Sequence, residues 1–103
     1  MNVEERAIRA ALRPDHLTDF AWNCGVASHR LVEASETVGN PLSAMWRDAR
    51  VARGRCAGVE PWEHSWVVVG DRIVDITLWS YDGSFPYVHR TTVDDPRYHE
   101  FPR

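Results

Sequence analysis

The sequence lacks most of the short motifs that identify large classes of proteins. It has only two cysteines, Cys24 and Cys56, and neither belongs to a CxxC pair, so a structural zinc site has little support. It contains no phosphate-binding loop and no GxSxG, HExxH or EF-hand pattern. The usual motifs of nucleotide-binding proteins, serine hydrolases, zinc proteases and calcium sensors are therefore excluded.

The chain also lacks a basic excess and a long apolar run. Its net charge is −3, with 12 basic and 15 acidic residues spread along the sequence. This pattern offers no basic stripe to a nucleic-acid backbone and no polybasic segment to a membrane. The N-terminal MNVEERAIRAALR is charged, unlike a signal peptide. We expect a cytoplasmic protein with reduced thiols and with no nucleic-acid or membrane partner.

The composition is typical of one globular domain. Hydrophobic residues make up 44% and charged residues 26% of the 103 positions, values outside the disordered range. The length is close to the commonest domain size, so residues 1–103 are expected to form a single domain.

Helical patterns come first along the chain. Segment 3–13 predicts a helix with Val3, Ala7, Ala10 and Ala11 on its buried face. Segment 42–49 predicts another, short helix.

A central helix is predicted to begin at NCGVA. Asn23 is a good N-cap residue, and Gly39-Asn40-Pro41 is typical of a helix end. Cys24 precedes a set of apolar residues at helical spacing, namely Ala27, Leu31, Ala34 and Val38. We therefore expect the Cys24 side chain to point toward the body of the protein from the first helical turn.

Strand patterns follow the helices. Segment 50–59 favours a strand in which Gly54 and Gly58 are weak points, and one further strand at 87–93 precedes an irregular tail. Because helices precede strands, the sequence predicts an α+β fold with N-terminal helices packed on a small antiparallel sheet.

The segment EHSWVVVGDRIVDIT predicts two strands joined by a turn at Gly70-Asp71. This turn places Trp66 opposite Asp75 and makes His64 a diagonal neighbour of Asp75 on the same face of the sheet. A carboxylate beside an imidazole fixes the tautomer of the ring and favours its charged form. His64 and Asp75 are therefore expected to form a hydrogen-bonded pair.

A cysteine at a helix N-terminus has a lowered pKa because the helix dipole favours the thiolate. If Cys24 meets the His64–Asp75 pair, the three residues supply a nucleophile, a base and a group that orients the base. The backbone N–H of Cys24 would then be one oxyanion donor.

These motifs resemble the papain-like and transglutaminase-like cysteine enzymes. A helix-starting Cys24, then HSWV at His64, then VDIT at Asp75 match the order and surroundings of that family's Cys, His and Asp. The resemblance covers roughly residues 20–80. It is greatest to minimal bacterial and phage members and looser to the leader-peptide proteases of lasso-peptide maturation. It implies a reduced papain-like/transglutaminase-like fold with Cys24 as nucleophile, His64 as base and Asp75 as orienting residue.

The oxyanion site departs from the papain pattern. The Gln that lies six residues before the papain-type Cys is Thr18 here. Asn23 and the Trp22 indole are the two candidates for a second donor, and Trp62 and Trp66 are expected to bind substrate beside them.

The resemblance implies a cysteine-dependent hydrolase or acyltransferase that acts on an amide or peptide bond without a metal or other cofactor. Its substrate would be a peptide or protein, and a partner protein could complete the shallow groove of so short a chain. The alternative is a catalytically inactive papain-like binding protein, such as a phage-encoded interaction or inhibitor protein.

Other polar residues have structural interpretations. A zinc site formed by Cys24, Cys56, His29 and His64 is conceivable, but His29 lies five positions after Cys24 and so points elsewhere on the helix. Three further histidines are expected at the surface: His16, His89 and His99.

Overall fold

Three α-helices pack on a five-stranded antiparallel sheet in the computed structural model, which describes all residues from Met1 to Arg103. This α+β arrangement was predicted from the order of helical and strand patterns. The helices are α1 (Val3–Leu12), α2 (Cys24–Ser35) and α3 (Pro41–Met45). The strands are β1 (Arg50–Cys56), β2 (His64–Val69), β3 (Arg72–Asp75), β4 (His89–Thr92) and β5 (Tyr98–Glu100), in the sheet order β4-β3-β2-β1-β5. None of the helices combines the length and apolarity needed to cross a membrane.

Each face of the sheet carries its own apolar cluster, because side chains alternate along a strand. One cluster joins the helices to Val67 and Val69 of β2, to Val74 of β3 and to Ile76, which follows β3. The second cluster includes Trp66, Val68 and Ile73 on the opposite face. By the same alternation, His64 and Asp75 belong to the face of the second cluster.

The predicted register of the β2–β3 hairpin is confirmed. Val69 pairs with Arg72 and Val68 pairs with Ile73, so Gly70 and Asp71 are the two turn residues. Gly70 has a φ of 63°, a left-handed conformation that glycine adopts without a steric penalty. This register sets the relative positions of His64 and Asp75.

The buried face of α1 differs from the predicted one. Val3 is 66% exposed, whereas Ile8 and Leu12 are fully buried beside Ala7. The larger aliphatic side chains remove more apolar area from water than alanines do, and this gain decides how the helix is rotated.

The predicted end of α2 was also wrong. The helix ends at Ser35, and Val38 is 98% exposed after it. The Thr37 hydroxyl and the Ser35 hydroxyl donate to carbonyls of the last turn, at Glu33 and Val32. These local side-chain bonds compete with continuation of the helix.

Strand β5 occupies part of the tail that was predicted to be irregular. It pairs with the end of β1, so that Arg55 lies opposite His99 and Cys56 lies opposite Tyr98. A Cβ atom at Gly54 would lie 2.0 Å from the carbonyl oxygen of His99. Gly54 is therefore the point where two backbones meet closely, rather than a weak point in β1.

Candidate active site

Cys24 is the first residue of α2, as predicted. Asn23 occupies the N-cap position, but its side chain makes no capping hydrogen bond. The backbone N–H groups of Cys24, Gly25 and Val26 consequently have no hydrogen-bond acceptor within the protein. These free donors and the helix dipole favour negative charge at the Cys24 sulfur.

The Cys24 side chain meets the beginning of β2. Its Sγ atom accepts a hydrogen bond from the backbone N–H of Ser65 at 3.3 Å, and the residue is partly buried. This bond joins the first turn of α2 to the strand residue that follows His64. The thiol is thereby held at the junction of helix and sheet.

Asp75 is buried, and each of its carboxylate oxygens accepts two hydrogen bonds. Oδ1 accepts from the backbone N–H groups of Thr77 and Leu78, both at 3.1 Å. Oδ2 accepts from His64 Nε2 at 2.6 Å and from the Tyr98 hydroxyl at 2.9 Å. A carboxylate accepts about four hydrogen bonds in all, so this buried charge is fully compensated.

His64 is completely buried between Asp75 and the helix start. Because Asp75 accepts from Nε2, the ring atom that remains for proton exchange is Nδ1. That atom is buried and has no well-aligned hydrogen bond, but the ring lies close enough to the Cys24 thiol to interact with it. Nε2 therefore binds the carboxylate, and Nδ1 is the ring nitrogen that is available to the thiol.

The thiol and the ring shift each other's pKa. Burial opposes charge on His64, but the hydrogen bond with Asp75 and the interaction with Cys24 outweigh it and raise the His64 pKa to about 9. Burial likewise opposes the Cys24 thiolate, yet His64 and the Ser65 N–H lower the Cys24 pKa below its ordinary value. The arrangement favours a thiolate–imidazolium pair.

The second cysteine has the opposite environment. Cys56 is fully buried in the second apolar cluster, as expected for a packed strand residue. Burial and the charge of Asp75 raise its pKa to about 12. Cys56 is therefore a protonated, inert thiol at neutral pH, in contrast to Cys24.

A groove of about 490 Å³ opens beside the Cys24 sulfur. It is lined by Cys24, Trp22, Trp62, Glu63 and Tyr81. Trp22 and Trp62, two residues predicted to contribute to the site, therefore meet at this surface.

The backbone at Trp22 is strained close to Cys24. Its φ is 65°, in the left-handed region, and its N–H donates to the Ser80 hydroxyl at 3.3 Å. The indole stacks edge-to-face on Tyr81 at 4.7 Å, and Tyr81 in turn stacks on His64 at 5.7 Å. Trp22, Tyr81 and His64 thus form a continuous aromatic wall.

The placement of Trp66 in a substrate site is corrected by its burial. Trp66 is only 1% exposed and packs on Tyr98 at 4.8 Å within the second cluster. Alternation along β2 makes Trp66 share the face of His64, and that face is core at this position. Asn23 is exposed next to Cys24 but does not line the groove, and Thr18 is exposed without a side-chain hydrogen bond.

Two site residues were missed by sequence reasoning. Tyr98 reaches Asp75 from the short strand β5, between Pro96 and Pro102, where no strand pattern is visible. Tyr81 follows a short 3-10 helix, Leu78–Ser80, and its placement depends on how the chain turns after β3. Neither residue has a motif of its own that predicts its contacts.

Of the three histidines expected at the surface, His16 and His99 are exposed but His89 is not. His89 is half-buried, because it packs edge-to-face on Phe85 at 4.9 Å, and its Nε2 atom has no hydrogen-bond partner. The expectation of a surface position is therefore wrong for His89. No group of three or more His, Cys, Asp or Glu side chains is placed to hold a metal ion.

Comparisons of the chain with protein-family models, with curated proteins and with solved structures found no match. The residues and geometry of the site are therefore the basis on which a function is proposed.

Proposed function

We propose that the protein is a cysteine-dependent hydrolase or acyltransferase that acts on an amide or peptide bond, with Cys24, His64 and Asp75 as its triad. The observation that carries this proposal is the division of the His64 ring between two partners. Nε2 is bonded to a fully compensated carboxylate, whereas Nδ1 has no other partner and the ring interacts with Cys24 at the start of α2. The motifs that resemble papain-like and transglutaminase-like enzymes support the same assignment.

In the proposed reaction the Cys24 thiolate attacks the carbonyl carbon of the substrate and forms a C–S bond. The His64 imidazolium then gives its Nδ1 proton to the leaving amine as the C–N bond breaks. Water or a second amine attacks the resulting thioester, and His64 takes up a proton from this nucleophile. The acyl group leaves, and the protonated ring again faces a thiolate. Asp75 keeps the ring oriented in both steps.

The negative charge on the attacked oxygen requires hydrogen-bond donors. The free backbone N–H of Cys24 is the first donor in this proposal. Of the two candidates for the second, Trp22 lines the groove whereas Asn23 does not. The indole N–H of Trp22 is therefore the better-placed donor.

The proposal is tested by alkylating the protein with iodoacetamide over a range of pH and locating the modified cysteine by mass spectrometry. We expect Cys24 to react with an apparent pKa below the free-cysteine value of about 8.5. Cys56 is an internal control and should stay unmodified in the folded protein, because burial raises its pKa.

Two variants make the experiment specific. His64→Ala should return the apparent pKa of Cys24 toward about 8.5, because the imidazolium that stabilises the thiolate is removed. His29→Ala, an exposed position on α2, should leave it unchanged. An unreactive Cys24, or a Cys24 pKa that is indifferent to His64→Ala, would contradict the enzyme proposal and favour the inactive binding protein.

A further inference from the structure

The groove beside Cys24 has an unusual lining for a protein surface. Trp22 and Trp62 are each 66% exposed, and Tyr81 lies between Trp22 and His64. Large aromatic groups that stay in water next to a reactive thiol are typical of a surface that binds a ligand. The aromatic faces and the charge of the groove indicate which kind of ligand it binds.

The groove presents negative charge. The faces of aromatic rings attract cations, and indole does so most strongly. Glu63 adds a full negative charge and is the one carboxylate among the lining residues, in addition to the Cys24 thiolate. Its neighbour Arg53 lies 3.6 Å away, but the two side chains are 68% and 53% exposed, so this ion pair is weak.

We propose that this groove binds the basic side chain, lysine or arginine, of a peptide substrate next to the bond that Cys24 attacks. The inference rests on the proposed function, because it takes Cys24 as the reacting atom. A basic side chain places its cation against the indole faces and the Glu63 carboxylate, and its methylene stem covers apolar ring surface. An acidic side chain is repelled by Glu63, and an apolar one leaves that carboxylate without a partner as water is displaced.

Chloromethyl ketones of Nα-acetylated lysine, norleucine and glutamate test the inference with one warhead. In each case the Cys24 thiolate displaces chloride from the methylene carbon and forms a C–S bond. Norleucine has the shape of lysine without its ammonium group, so the ratio of their inactivation rates isolates the charge. After normalisation to the rates with free cysteine, we expect a lysine-to-norleucine ratio of at least about tenfold, with glutamate slowest.

Variants show whether the named side chains produce this preference. Glu63→Gln and Trp62→Leu should each lower the lysine-to-norleucine ratio. Glu33→Gln is the matched control, because Glu33 is an exposed carboxylate on α2 outside the groove, and it should leave the ratio unchanged. A wild-type ratio near one, or equal ratios in Glu63→Gln and Glu33→Gln, would overturn the inference.

The two proposals fail in different ways. If Cys24 alkylates with a lowered pKa but shows no charge preference, the substrate inference is wrong and the proposed function stands. If Cys24 is unreactive, binding to the groove can be tested without a chemical reaction in the Cys24→Ser variant. Nα-acetyl-lysinamide and Nα-acetyl-norleucinamide are each titrated into this variant, and the indole N–H signals of Trp22 and Trp62 are followed in NMR spectra. Lysinamide alone should shift these signals, and equal shifts or none would refute a basic ligand.

Discussion

Tyr98 and His64 donate hydrogen bonds to the same carboxylate oxygen, Oδ2 of Asp75, at 2.9 and 2.6 Å. The phenol comes from the last strand and the imidazole from the second, so the carboxylate joins two elements that are distant along the chain. Burial and the charge of Asp75 raise the Tyr98 pKa far above its ordinary value, so the hydroxyl stays a donor. Tyr98 therefore shares with His64 the negative charge that holds the ring protonated.

Removal of the Tyr98 hydrogen bond should change both the free energy of unfolding and the pKa of the His64 ring. Tyr98→Phe keeps the packing on Trp66 but leaves Oδ2 with His64 alone, so the pKa of His64 should rise above its wild-type value. The lost hydrogen bond to a charged group should reduce the free energy of unfolding by about 1.5–3 kcal/mol. Urea denaturation measures the stability change, and NMR titration of the His64 ring measures the pKa. A lower His64 pKa in Tyr98→Phe would contradict this account.

If the protein has the proposed activity, the pH dependence of that activity should distinguish the ionisation of Cys24 from that of His64. With a peptidyl p-nitroanilide, activity should rise with pH as Cys24 ionises, below the ordinary thiol pKa. It should fall again near pH 9, where His64 loses the proton that the leaving amine requires.

A p-nitrophenyl ester is the control for this pH profile. Its leaving group departs without a proton, so the acylation rate should keep the acid limb and lose the alkaline one. If both substrates showed the same alkaline limb, His64 would not be the proton donor.

The unfolding free energy should depend on pH more strongly once Cys24 is removed. Above both pH 6.5 and the lowered Cys24 pKa, and below the ordinary thiol pKa of about 8.5, the folded thiolate–imidazolium pair and the unfolded thiol and imidazole each bind one proton. The wild-type curve should therefore be nearly flat in that range. In Cys24→Ser, His64 is the one member of the pair that still titrates. Its folded pKa is raised by Asp75, so its contribution is complete below pH 6.5 and is lost as pH rises through that raised pKa.

Urea denaturation across pH 6 to 10 checks this linkage, and each unit of pKa difference corresponds to about 1.4 kcal/mol. Adding Asp75→Asn to Cys24→Ser should abolish the fall in stability, because the partner that raises the His64 pKa is gone. A wild-type protein that loses stability as steeply as Cys24→Ser would show that the thiol and the ring are not coupled.

Gly54 should be essential for holding the last strand, and with it Tyr98. In Gly54→Ala the new Cβ meets the His99 carbonyl, which is backbone and unable to swing aside, so β1 and β5 must separate. We expect a loss of at least about 2 kcal/mol of stability and faster amide exchange in β5. Gly83→Ala is the matched control, because nothing lies within 4 Å of a Cβ there, and it should be nearly neutral. Equal stability of the two variants would disprove the close approach.

Much of the fold follows from local sequence. The period-2 pattern of β2 and β3 and the Gly70-Asp71 turn predict the hairpin and its register, and this register places His64 near Asp75. The start of α2 at Cys24 follows from the helical spacing after Asn23. The details that failed, the rotation of α1 and the end of α2, depend on competing burial and on side-chain bonds that a pattern does not weigh.

The amino-acid sequence by itself determined the α+β class, the hairpin and the order of Cys24, His64 and Asp75, because these depend on interactions between residues close together in the chain. Only the tertiary structure decided that Trp66 is core whereas Trp22 and Trp62 form a groove, and that Tyr98 completes the hydrogen bonds of Asp75. These outcomes depend on which surfaces meet when the helices and the connecting segments pack on the sheet. Alternation along a strand specifies two faces but not which part of a face remains in contact with water.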